Sequence, residues 1–192
     1  MGKIKDVAVT LTDLKLSYIR AVDNYNKAAG YAKNNYRPGS QLYTETMQQL
    51  DDEMKALKKK AAAEVRGKIR AAFDAERGRI RAAVSALPTE KDLKIIEMLK
   101  DSKLTQGEKE ILSGSISGAY FARKALAAAS GEDFTPVDIT LKKLDNAEAQ
   151  AMKAADYILE DPEAPTAAAL IKGSALDDIE AAVNAFTVAY KA

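Results

Sequence analysis

The chain has 192 residues, 47% apolar and 30% charged, enough to bury a core in one domain or two small ones and too apolar for a disordered protein. It contains no Cys and no His, which excludes disulfides, thiolate nucleophiles and sulfur-built zinc sites and removes the commonest general base. The net charge of +1 hides an asymmetry: residues 1–81 carry 17 basic and 10 acidic side chains, residues 82–192 carry 12 and 18.

Such asymmetry fits a polyanion site or a contact between copies of the chain. Carboxylates, Lys and Tyr are left for chemistry, and no acid–base pair is placed together by the sequence. An enzyme is therefore disfavoured, and no cofactor, metal or small-molecule substrate is expected. No apolar run approaches the roughly 20 residues of a membrane helix. The opening MGKIKDVAVTLTDLKL has Asp6 and Asp13 inside its apolar part, so it reads as a helix entry and not as a signal peptide. The expected setting is a soluble, reducing compartment.

Gly and Pro punctuate six predicted helices. The first runs from about Asp6 to Asn35, with Leu11, Leu14, Tyr18, Val22 and Tyr25 at helical spacing. VAVTLT, at 7–12, is its one strand-like piece. Asn34, Asn35, Pro38 and Gly39 form a turn, and Ser40 caps the second helix, which reaches Leu87 without a Pro. At ~1.5 Å per residue this segment would span about 70 Å.

Along the second helix a large apolar stripe passes through Tyr43, Met47, Leu50, Met54, Leu57, Ala61, Val65, Ile69, Phe73, Ile80, Val84 and Leu87, with Glu76 filling one turn. Its period is near 3.67, the eleven-residue rhythm of a nearly straight or slightly right-handed coil. Leu50, Met54, Leu57, Val65, Ile69, Phe73, Ile80 and Val84 are the expected packing or oligomer contacts. A second stripe of Ala63, Gly67, Ala71, Ala75, Gly78 and Ala82 lies opposite. It reads either as a close-packed second face or as good helix formers facing solvent, and two costly glycines lean mildly toward packing.

Between the stripes, Lys55, Lys59, Arg66, Arg70, Arg77 and Arg81 share one flank, with Asp74 among them. As a site, this row would meet phosphates or an acidic partner with salt-dependent affinity. As surface, it is a solvated flank whose stems cover the seam. The second reading weighs more, because Phe73 is the only aromatic between residues 55 and 83 and no stacking platform exists.

A third helix, about Glu90 to Asp101, follows Pro88. LTQGEKEIL sets Thr105 and Glu108 as a capping box for a fourth helix, which continues to about Ser130 and stops at Gly131. FTPVDITL repeats the grammar with Thr135 as cap and Pro136 at the first helical position. That helix ends in LEDPEAP, and Thr166 starts the last, through Leu170, Leu176, Ile179, Val183, Phe186 and Tyr190. Gly114 and Gly118 lack the strand and Lys-Ser/Thr of a phosphate loop, so they mark close packing or a soft point. Glu160, Asp161 and Glu163 lack a calcium-loop frame and read as a solvated turn.

The whole is expected to be all-α: an elongated helical bundle with one very long helix, about 40–87, and a smaller bundle of later helices. The division falls between a hairpin at 1–87 and a four-helix bundle at 88–192, or the chain forms one continuous domain. The stretches YTETMQQLDDEMKALKKKAAAEV and IIEMLKDSKLTQGEKEILSGSISG, about a third of the chain, resemble small helical proteins encoded beside the capsid genes of tailed phages. The resemblance carries no catalytic or binding residue. It implies a virion or assembly component that acts by protein contacts, with homo-oligomerisation expected. Two rivals stand beside it: a nucleic-acid-binding or packaging protein using the basic flank, and a small phage-type inhibitor of a host complex.

Overall fold

The computed structural model describes residues 4–100, 104–131, 134, 136–163 and 175–190. They form seven helices and no strand: α1 (Ile4–Asn35), α2 (Gln41–Val84), α3 (Glu90–Leu99), α4 (Gln106–Gly114), α5 (Tyr120–Ser130), α6 (Val137–Glu160) and α7 (Ala175–Ala189). The expected caps at Thr135 and Thr166, and Leu170, lie outside the described residues.

The strand-like VAVTLT is helical. Thr10 and Thr12 donate their hydroxyls to the carbonyls of Asp6 and Ala8, at 2.8 and 2.9 Å, which reconciles these β-branched residues with the helix. The α1–α2 turn uses Gly39 at φ 81°, a conformation L side chains resist. Ser40 then caps α2 by accepting from the Tyr43 N–H at 3.3 Å. α2 runs unbroken through Gly67 and Gly78. It ends at Val84, three residues before the expected Leu87, because Pro88 disfavours helical geometry just upstream. The Ser85 hydroxyl takes the freed Ala82 carbonyl at 2.8 Å, and Leu87 is 77% exposed, not part of the buried stripe.

The chain divides into two compact units. The first comprises Met1–Phe73 and Asn146–Asp177: α1, most of α2 and the later part of α6. Its core draws on Val7, Leu11, Leu14 and Tyr18 of α1, on Val65, Ile69 and Phe73 of α2, and on Ala147, Ala151, Ala154, Ala155 and Ile158 of α6. The alanine run on α6 is the small-residue face that permits close helix approach.

The second unit comprises Asp74–Asp145 and Asp178–Ala192. Here α3 packs on α4 and α5 around Ile95, Ile96, Leu99, Ile116, Ala119, Ala122 and Leu126. The single fourth helix expected over 105–130 is two helices, α4 and α5, broken at 115–119. Ile116 and Ala119 are buried in the break, and the Ser117 N–H turns to the Asp92 carboxylate at 2.8 Å. Gly114 thus ends α4 and Gly118 lies in the break, so the pair does not mark a soft point within one helix. α5 closes at Gly131, φ 74°, as its sequence implies. Tyr120 gathers Phe134, Phe186 and Tyr190, with ring centroids 5.1–5.9 Å apart, and its hydroxyl accepts from the Val137 N–H at 3.0 Å, one of the donors left over at the start of α6.

Candidate helix-binding groove and basic cleft

On the apolar stripe of α2, burial is graded. Val65, Ile69, Phe73 and Ile80 are buried, whereas Leu50, Met54 and Val84 are half-buried and Leu57 is 42% exposed. Glu76, the polar member of the stripe, is buried and accepts from Arg79 at 2.6 Å. Arg79 also reaches Asn184 at 2.8 Å.

The less buried end of the stripe opens onto a groove within the first unit. One part, of about 330 Å³, is lined by Ala21, Tyr25 and Ala28 of α1 and by Leu50, Met54 and Leu57 of α2. Leu57 continues into a second part with Ser17, Tyr18, Lys60, Ala61 and Glu64. Ser17, Ala61 and Glu64 continue into a third with Thr10, Asp13, Val65 and Lys68. Every lining residue belongs to α1 or α2. From Thr10 to Ala28 the groove follows 18 residues of helix, ~27 Å. Its α1 wall is low because Ser17, Ala21 and Ala28 are small. The Tyr25 hydroxyl donates to Asp51 at 2.6 Å, which ties the two helices together and raises the Tyr25 phenol above its ordinary value.

The expected cationic flank does not act as one row. Lys55, Lys59 and Arg66, joined by Lys58, line a cleft of about 460 Å³ against Asp156, Leu159 and Glu160 of α6. Arg66 meets Asp156 at 2.6 Å and Lys55 meets Asp52 at 3.5 Å. Arg77 is held by Asp74 and Asp145, at 2.8 and 2.6 Å, with only 19% of its side chain exposed. Arg70 and Arg81 are exposed, and neither lines this cleft. Lys58, three residues from Lys55, was outside the expected row because it sits between that flank and the apolar stripe; the approach of α6 makes it part of the same cleft.

The small-residue stripe is open in this chain. Ala63, Gly67, Ala71, Gly78 and Ala82 are exposed and Ala75 half-buried, and a Cβ built on Gly67 or Gly78 meets nothing within 4 Å. In the 160–163 turn, Asp161 accepts from the Glu163 N–H at 3.1 Å, the local bond of a turn residue.

The most perturbed carboxyl is Asp92, 1% exposed. Burial pushes it up, but bonds from the N–H and hydroxyl of both Ser117 and Thr89 outweigh that and hold it at about 2. All four bonds are 2.7–2.8 Å long. A perturbed carboxyl can mark a reactive site, but these donors already occupy both oxygens. Asp92 is a structural clamp between the start of α3 and the α4–α5 break.

Comparison with protein-family models, curated proteins and solved structures found no match to this chain, so its function is argued from the groove and cleft themselves.

Proposed function

We propose that the chain is a non-enzymatic structural or assembly protein that works through helix-mediated protein contacts, as a component of a tailed-phage particle or of its assembly. The observation that carries this reading is the ~27 Å groove, floored by half-buried Leu50 and Met54 and by exposed Leu57. A groove of this kind takes the apolar face of another helix. The phage setting draws its support from the resemblance of the two quoted stretches. The test is a photo-crosslinking residue at Ala21 or Leu57, with Glu110 on α4 as the exposed control. Protein adducts from both groove positions and none from the control are expected; a groove that yields no adduct overturns the reading.

A second reading has its own observation, the cleft where Lys55, Lys58, Lys59 and Arg66 converge. It makes the chain a nucleic-acid binder. Four phosphate contacts would cost roughly hundredfold in affinity between 50 and 200 mM salt. Fluorescence anisotropy with duplex DNA tests this, with K55E/K58E/K59E expected to abolish binding. Asp156 and Glu160 in the same cleft oppose a polyanion, which is why protein contact ranks first.

A further inference from the structure

We infer that the occupant of the α1–α2 groove is the same groove of a second copy, its α2 packed antiparallel on the first across a two-fold axis. The inference rests on the protein-contact reading and names the partner. Its argument is charge complementarity along the groove. Glu53 lines the part next to Leu50 and Met54, and Lys60 lines the part next to Ala61. They stand seven residues apart on one flank of α2, about two turns. Both are exposed, and neither forms an ion pair among the described residues. Glu53 accepts only from Gln49, at 2.8 Å. Lys60 adds a weak field to Glu64, which is already paired with Lys68 at 2.9 Å.

A two-fold axis crossing α2 between Ala56 and Leu57 places position 53 of one copy against position 60 of the other. An isologous interface repeats every contact, so one arrangement makes two Glu53–Lys60 pairs. The same axis lays the Leu50, Met54 and Leu57 seam on its own copy and covers Leu57. A parallel arrangement in register would put the two copies of this flank on opposite sides of the seam and form neither pair. The low wall formed by Ser17 and Ala21 gives a second helix room to approach.

The experiment is the mass of the full chain by sedimentation over a concentration series at low and high salt. Wild type is expected at twice 20.7 kDa, weakening with salt. Glu53→Lys and Lys60→Glu each place like charges at both sites and should loosen the dimer roughly tenfold. The double variant E53K/K60E should restore it, and an equimolar mixture of the single variants should form the heterodimer. Unchanged helicity by circular dichroism establishes that the exposed substitutions leave the fold alone. A wild-type mass of one chain throughout overturns the inference, as do single variants that associate like wild type. A monomer whose Leu57 crosslinks a different protein overturns the second copy as occupant and leaves the protein-contact function standing; a monomer with no adduct sinks both.

Discussion

Asp92 shows how much one carboxyl can decide. Its folded value of about 2 lies below the ordinary carboxylate value of 3.8. A depressed folded value contributes stability above the unfolded value and loses it as pH falls through the folded one. The second unit should therefore weaken between pH 4 and pH 2, by about 2 kcal/mol in all, as read from urea midpoints across that window. Asp92→Ala strips four bonds at once and leaves the Ser117 N–H without its acceptor, at an expected cost of 2–4 kcal/mol, roughly, and should flatten the acid limb. A variant as stable as wild type at pH 7 would remove the clamp from this account. The Thr105–Glu108 capping box was legible in the sequence because its residues follow the common pattern. The Thr89–Asp92 box is equally complete, with Asp in place of the usual Glu or Gln, and was not read from the sequence. The bond from Asp92 to Ser117 spans 25 positions, and nothing local announces it.

At the scale of elements, the apolar period of α2 was readable but its use was not. The same spacing continues from Leu50 to Ile80, yet Phe73 and Ile80 are buried while Leu57 is 42% exposed. Burial depends on which helices arrive alongside. Phe73→Ala should cost about 3–5 kcal/mol in chemical denaturation. Leu57→Ala should cost under about 1 kcal/mol in the isolated chain and act instead on association. The glycines of the opposite stripe give the complementary test. Gly67→Ala and Gly78→Ala meet no neighbouring atom, so each should stabilise by about 0.5–1 kcal/mol through helix propensity. Loss of stability at either position would mean that another backbone packs on that stripe.

At the scale of the whole molecule, the proposed self-association makes thermal stability depend on concentration, since whatever binds only the folded state raises its midpoint. The wild-type midpoint should climb with protein concentration at low salt, and that of Lys60→Glu should climb less; identical slopes would argue against the paired groove. The near-balance of charge conceals the features that matter here, because Glu53 and Lys60 cancel in any sum and count only by their positions on α2. What the sequence by itself determined is the helical class, the α1–α2 turn, the length of α2 to within three residues and several caps. These follow from propensity, apolar period and local hydrogen bonding, all of which act over a few residues. The break between α4 and α5, the basic cleft and the open groove were decided only by tertiary structure. Each depends on residues far apart in the chain: Ser117 bonding Asp92, α6 carrying Asp156 to Arg66, and α1 presenting Ser17 and Ala21 beside Leu57. Pattern shows that a helix has a face to bury, but the partner that buries it is chosen by packing in three dimensions.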